Sequence, residues 1–83
     1  MTHRILIGNL PPDISAEEIE QLARDGGAEA PKVTLNREGD PDKVAAVLEL
    51  PQLDRAGTDR IAAGINGKRF RERTLTAYVP LFT

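Results

Sequence analysis

The sequence contains no cysteine and no tryptophan, and His3 is its one histidine. Without cysteine the chain can form no disulfide, no thiolate metal site and no cysteine nucleophile. These absences exclude the small domains that depend on disulfide bonds or thiolate-bound zinc, and they suit a reducing compartment. A lone histidine at the start of the chain indicates no catalytic set.

Long apolar runs are missing as well. No stretch approaches the roughly 20 apolar residues that a membrane span needs, and the first apolar run, RILIGNL, is too short for a signal peptide. Hydrophobic residues nevertheless make up 40% of the 83 residues. We therefore expect one soluble domain over residues 1–83, in the cytoplasm, with no membrane partner.

Positive charge is scarce in the first part of the chain. Residues 1–30 carry a formal charge of −4 and residues 31–83 carry +2, for a total of −2. Because nonspecific nucleic-acid affinity normally depends on clustered Lys and Arg, this balance argues against strong nonspecific binding. The exception is the stretch KRFRER, which places four cations within six residues: Lys68, Arg69, Arg71 and Arg73.

Patterns that carry chemistry are also absent. The Gly8–Pro11 stretch lacks the lysine and the glycine spacing of a phosphate-binding loop, and EGDPD has too few ligand positions for a calcium loop. No Ser-His-Asp set or metal-ligand cluster is evident. We therefore expect no enzyme activity, no cofactor and no metal.

Alternation of apolar residues predicts four strands, and the helical period predicts two helices. Ser15 and Glu18 form a capping-box pattern at the start of the first helix, which Gly26-Gly27 ends. The second helix is predicted at Pro51–Gly64, and a polar connection follows at Lys68–Arg73. The strands are predicted at Arg4–Leu10, Lys32–Leu35, Lys43–Leu50 and Thr74–Val79.

This order, βαββαβ, predicts an α+β ferredoxin-like sandwich. In that arrangement, right-handed crossovers pack two helices on one face of a four-stranded antiparallel sheet.

Two segments resemble the signature motifs of the RNA-recognition motif (RRM). RILIGNL, followed by two prolines, is similar to the family's hexamer, and KVAAVLEL stands about where its octamer belongs. NLPPDISAEEIEQLARDGG and INGKRFRERTLTAYV also resemble the family, so the resemblance covers nearly the whole chain. It implies a domain that binds single-stranded RNA by stacking bases on aromatic residues of the two central strands.

Those stacking residues are missing here. Leu6, Ala45 and Val47 stand where the family has aromatic rings, and alternation places only Tyr78 among the aromatics on the open face of the sheet. Base stacking contributes roughly 1 to 3 kcal/mol per base, so we expect weak or atypical binding of single-stranded RNA. The expected contacts on the sheet are Leu6, Lys32, Thr34, Lys43, Ala45, Val47, Thr76 and Tyr78.

Two alternatives stay open. The four cations of Lys68–Arg73 are either a phosphate clamp, since guanidinium groups match phosphate geometry, or a solvated loop that buries Phe70. The apolar residues Leu6, Ala45 and Val47 either accompany RNA binding or form a patch for a protein partner, a second copy of the chain, or its own Leu81 and Phe82.

Overall fold

The computed structural model describes residues 3–37 and 44–80. Its elements, in chain order, are β1 (His3–Leu10), α1 (Ala16–Asp25), β2 (Lys32–Asn36), β3 (Val44–Leu50), α2 (Arg55–Ile65), β4 (Arg69–Phe70), β5 (Arg73–Thr74) and β6 (Thr76–Tyr78). The main sheet is antiparallel and has the strand order β2-β3-β1-β6, while β4 and β5 form a separate two-stranded sheet. The predicted α+β ferredoxin-like fold is confirmed. In the described part of the chain, neither helix is long and apolar enough to cross a membrane.

Alternation along the strands separates the two faces of the main sheet. In β3, Val44, Ala46, Leu48 and Leu50 are buried, and the residues between them are not. Together with Ile5 and Ile7 of β1, they form a core with the inner sides of both helices. Because each large aliphatic side chain contributes about 1.5 to 3 kcal/mol when it is fully buried, this face holds the fold together. The opposite face is left to solvent.

Helix α1 begins as the sequence predicts. The Glu18 amide donates to the Ser15 side chain, and the Glu18 carboxylate accepts from the Ser15 backbone, so the capping box is complete. Ile14 and Ile19, which flank the cap, are both buried. The helix ends before Gly26, and Gly27 follows with a φ of 105°, a conformation that glycine adopts without steric cost.

Helix α2 begins later than predicted. Its N-cap is Asp54, whose carboxylate accepts from the Gly57 amide at 2.8 Å. Pro51 and Gln52 instead lie in a turn after β3. The prediction of a helix from Pro51 missed Asp54, although aspartate is one of the preferred N-cap residues.

The stretch predicted as a polar connection contains a β-hairpin. Phe70 pairs with Arg73, and the two residues between them, Arg71 and Glu72, have positive φ angles of 48° and 67°. Two such residues in a row are typical of the type I′ hairpin turn, which usually contains Asn or Gly. Buried Leu75 separates this hairpin from β6, so the prediction of one strand over Thr74–Val79 is wrong at its start.

Candidate nucleic-acid interface

The middle of the outward sheet face is an uncharged row of side chains, one from each strand. Strand pairing sets Thr34 opposite Val47, Val47 opposite Leu6, and Leu6 opposite Tyr78. Tyr78 is 58% exposed, and Leu6 and Val47 are half-buried. This apolar row (Thr34, Val47, Leu6 and Tyr78) therefore offers one exposed aromatic ring beside two aliphatic side chains.

The neighbouring row contains the smallest side chains of this face, at the point where the pairing of β1 with β3 becomes irregular, between Ile7 and Leu10. Asn36 is opposite Ala45, and Gly8 is opposite Thr76. Ala45 and Gly8, in the two central strands, leave a depression of about 250 Å³ between Asn36 on one side and Thr76 on the other, with Leu6, Val47 and Tyr78 along its length. We refer to this depression as the trough. Its lining contains no charged side chain among the described residues.

The third row is charged. Glu49 is opposite both Lys32 and Arg4, and its carboxylate lies 3.7 Å from the Arg4 Nε. Both partners of this ion pair are substantially exposed, so the pair contributes little to stability. The row carries a formal charge of +1, and its lysine, Lys32, is exposed at the edge of the sheet.

The hairpin does not present all its cations together. The guanidinium of Arg71 contacts the carboxylate of Asp13 at 2.7 Å and also that of Glu18, and it lies 5.0 Å from the centroid of the Phe70 ring. Partial desolvation lowers the pKa of Arg71, but the hydrogen bonds and charges of Glu18 and Asp13 outweigh it, so the pKa is raised. Arg71 therefore joins the hairpin to the start of α1.

Two further arginines bind the segment between β1 and α1. Arg37 donates to the carbonyl oxygens of Pro12 at 2.5 Å and Ile14 at 2.6 Å, and Arg73 donates to that of Leu10 at 3.4 Å. Backbone carbonyls that lack a regular partner need donors from elsewhere. Arg37 and Arg73 supply these donors, so the two arginines hold the Pro-rich segment that follows the first strand.

The other two predicted clamp residues lie elsewhere. Lys68 lines a groove on the helix side of the molecule, between Leu22 of α1 and Ile61 of α2. Arg69 is exposed at the start of the hairpin. Each of the four cations thus has different surroundings, and their contact with RNA stays a prediction.

Some predicted positions fall outside the described residues. Lys43, the first residue of the octamer-like segment, is one of them, and Leu81 and Phe82 are the others. Of the remaining sheet positions, Leu6, Lys32, Thr34, Ala45, Val47, Thr76 and Tyr78 all lie on the outward face. Residues 3–37 and 44–80 contain no group of three or more His, Cys, Asp or Glu side chains that could hold a metal ion.

Two outward-facing residues of the trough are not among the predicted sheet contacts. Asn36 follows the predicted end of the second strand at Leu35, although alternation with Lys32 and Thr34 already places it on the outward face. Gly8 alternates with Leu6 in the same way. What the sequence does not reveal is that Gly8 and Ala45 leave an open space between two polar side chains.

Comparison with known proteins gives matches at the level of structure. No protein-family model matches the sequence, and no curated protein matches it significantly. The Mip6 RRM3 domain superimposes with a TM-score of 0.76 and 18% identity, over 92% of this chain and 89% of that one. The Rna15 RRM with bound RNA (GU) has a TM-score of 0.69 and 18% identity, over 94% of this chain and 82% of that one.

A third similar structure is the SR1-RRM1 domain of Plasmodium falciparum in complex with ACAUCA RNA. Its TM-score is 0.65 and its identity 25%, over 96% of this chain and 85% of that one. At identities this low, similarity speaks for the fold. With the strand order and the two helices, it shows that this chain has the fold of the RNA-recognition motif.

Proposed function

We propose that this domain binds single-stranded RNA across the outward face of its sheet, with lower affinity than domains that carry three stacking rings. The contacts in this proposal are Leu6, Ala45, Val47, Thr34, Thr76 and Tyr78 for bases and sugars, and Lys32, Lys43 and Arg69 for phosphates. Arg71 and Arg73 contact other groups of the chain, and Lys68 lies in the groove on the helix side, so these three are left out of it. The role is binding without catalysis, in the cytoplasm.

One observation carries the proposal: the outward face has an uncharged centre, with an exposed tyrosine ring and two threonines, and cations at its margins. Bases present flat apolar faces and polar edges, whereas the backbone is anionic, so RNA matches this distribution. Two of the similar structures, the Rna15 RRM and the SR1-RRM1 domain, contain RNA.

The expected affinity follows from the missing rings. Each base–aromatic stack contributes roughly 1 to 3 kcal/mol, and micromolar binding corresponds to about 8 kcal/mol in total. With Leu6, Ala45 and Val47 in place of rings, two or three stacks are lost. Dissociation constants between micromolar and millimolar are therefore expected, with a strong dependence on salt.

An amide chemical-shift titration of the isotope-labelled protein with a pool of short single-stranded RNAs tests the proposal. It is done first at low salt and then at physiological salt. We expect changes at Leu6, Ala45 and Thr76 that weaken as salt is added. Changes confined to Lys68–Arg73 would move the interface to the hairpin, and the absence of change at millimolar RNA would refute RNA binding.

The apolar row, together with Ala45 of the neighbouring row, also favours a second candidate, association with a protein partner or a second copy of the chain through Leu6, Ala45 and Val47. The specific observation is that no charge interrupts the row. Apolar association persists or strengthens with stabilising salts, whereas phosphate contacts weaken. Sedimentation of the protein alone at rising concentration therefore separates the two candidates.

A further inference from the structure

We propose that the groove between the C-terminal halves of α1 and α2 binds an extended segment of a partner protein in which one large apolar side chain is flanked by carboxylates. We call it the helix groove: one side comes from residues 22–26, the other from residues 60–65, and Lys68 lies beyond the end of α2. RNA is proposed to bind the outward face of the sheet, whereas this groove lies on the helix side. The inference therefore goes beyond the proposed function and does not depend on it.

The floor of the helix groove is apolar. Half-buried Leu22 of α1 lines it together with Ile61 and Ile65 of α2, which are both buried. A Cβ atom added at Gly26 would lie 3.4 Å from the Ile61 Cγ1, so the end of α1 reaches α2 at this point. The volume of about 200 Å³ is sufficient for one phenylalanine ring, since a protein cavity of about 150 Å³ holds benzene.

Gly64 keeps the helix groove open, although the fold does not require a glycine there. It lies inside α2 without a positive φ, and a Cβ atom added to it would meet no described atom within 4 Å. Gly57, the other glycine of α2, differs, because an added Cβ would lie 3.2 Å from the capping carboxylate of Asp54. Glycine destabilises a helix relative to alanine. A glycine with open space beside it is typical of a backbone that another molecule approaches closely.

The charged side chains of the helix groove determine which segment fits it. Arg60 and Lys68 are exposed and form no ion pair with any described carboxylate. The carboxylate of Asp25, which also lines the groove, accepts a hydrogen bond from the Gln21 side chain at 2.8 Å. Two cations and one carboxylate give a formal charge of +1, which complements carboxylates on a partner. A chain of phosphates would leave the apolar floor uncovered, whereas an apolar side chain between carboxylates matches both features.

An amide chemical-shift titration with three acetylated and amidated heptapeptides tests the inference. Their central residues are Asp-Phe-Asp, Asp-Ala-Asp or Lys-Phe-Lys, between Gly-Ser and Ser-Gly. The peptides are added to the unmodified protein and to two variants: Gly64→Leu fills the helix groove, and Lys68→Gln removes one of its cations. Matched controls are Ala63→Leu, at the neighbouring exposed position of α2, and Arg24→Gln, which removes an exposed cation of α1. Circular dichroism melts verify that all variants fold.

We expect the Asp-Phe-Asp peptide to shift the amides of Gly26, Ile61 and Gly64. The Asp-Ala-Asp peptide should bind about 10-fold more weakly, because it buries no ring, and the Lys-Phe-Lys peptide about 5-fold more weakly, with a difference that shrinks as salt is added.

The two variants should separate binding from folding. Gly64→Leu should weaken the Asp-Phe-Asp peptide about 10-fold and yet raise the melting temperature of the free protein by about 4 °C, since leucine is the better helix former. Lys68→Gln should weaken the same peptide about 2-fold, as expected for an exposed ion pair. Both controls should bind the peptides like the unmodified protein.

The other outcomes overturn the inference in distinguishable ways. Equal binding of the three peptides, or binding that Gly64→Leu leaves unchanged, would refute the helix groove as their site. Unchanged amides at millimolar peptide would refute it as well and would leave RNA binding on the sheet unaffected. Shifts of the Ile61 and Gly64 amides on adding hexauridine would assign the groove to nucleic acid. The same shifts on raising the protein concentration alone would assign it to a second copy of the chain.

Discussion

The outward sheet face and the hairpin contact with α1 use their side chains in opposite ways. On the sheet face, exposed Tyr78 and half-buried Leu6 and Val47 lie along an open trough. At the hairpin, Arg71 is bound by Asp13 and Glu18. The first region exposes an aromatic ring beside an open depression, and in the second the charge of Arg71 is paired within the chain.

We infer from this difference that the sheet face serves RNA binding and that the arginine contacts serve the stability of the fold. A cluster of cations in the sequence suggests phosphate contacts, but here one of its arginines holds two carboxylates and another binds a backbone carbonyl. The proposed RNA site depends instead on the apolar row of the sheet. Substitutions on the sheet face should therefore change RNA affinity, and substitutions among the arginine contacts should change the free energy of unfolding.

The largest effect is expected from Leu6→Tyr, which restores a ring between Val47 and Tyr78 on the outward face. One new stack should tighten binding of short single-stranded RNA by 5-fold or more, from about 1 to 3 kcal/mol of stacking. The measurement is fluorescence anisotropy at fixed salt. Gln52→Tyr, which adds a ring in an exposed turn, is the control. An unchanged affinity would tell against an RNA path across the sheet.

The converse change, Tyr78→Ala, should weaken RNA binding by about 5-fold or more, because it removes the exposed ring of the apolar row. Stability should change little, since the side chain is 58% exposed. Tyr78→Phe keeps the ring and should retain the affinity. If Tyr78→Phe lost as much as Tyr78→Ala, the hydroxyl and not stacking would be the contact.

For Arg37→Ala we expect a loss of about 1 kcal/mol in the free energy of unfolding, because the Pro12 and Ile14 carbonyls lose a charged donor. Urea denaturation, read from the midpoint at unchanged slope, measures this. Arg60→Ala, an exposed arginine of α2, serves as the control and should change stability by less than about 0.5 kcal/mol. Equal losses in both variants would contradict a specific role for the carbonyl contacts.

The smallest effect is expected from Arg71→Ala. Its ion pairs are partly exposed, so the melting temperature should fall slightly, and the difference should shrink at 1 M salt, where such pairs are screened. A double-mutant cycle with Asp13→Asn should show coupling between the two residues. RNA affinity should change by less than 2-fold. A larger loss of affinity would reinstate a phosphate clamp at the hairpin.

Most of the fold could be predicted because its signals are local. The two-residue period of the strands predicts that Leu6, Val47 and Thr76 lie on the outward face. The Ser15–Glu18 capping box predicts the start of α1. Each of these patterns depends on neighbours within a few residues in the chain. The predicted start of α2 at Pro51 is wrong, because Asp54 caps the helix.

The hairpin could not be predicted in the same way. Its turn contains Arg71 and Glu72 at positive φ, where hairpin sequences usually show Asn or Gly. Contacts with distant residues accompany this conformation: the Glu18 carboxylate is 53 residues from Arg71, and the Leu10 carbonyl is 63 residues from Arg73. Such partners leave no local pattern in the sequence.

The order of the main elements, the two faces of the sheet and the absence of stacking rings at Leu6, Ala45 and Val47 can be read from the sequence, because they depend on residue type and on a period of two. The folded domain is needed to see that Asn36 and Thr76 line one open trough and that Arg71 contacts two carboxylates. Those arrangements depend on strand order and on contacts between residues far apart in the chain, and only packing of the whole domain brings them together.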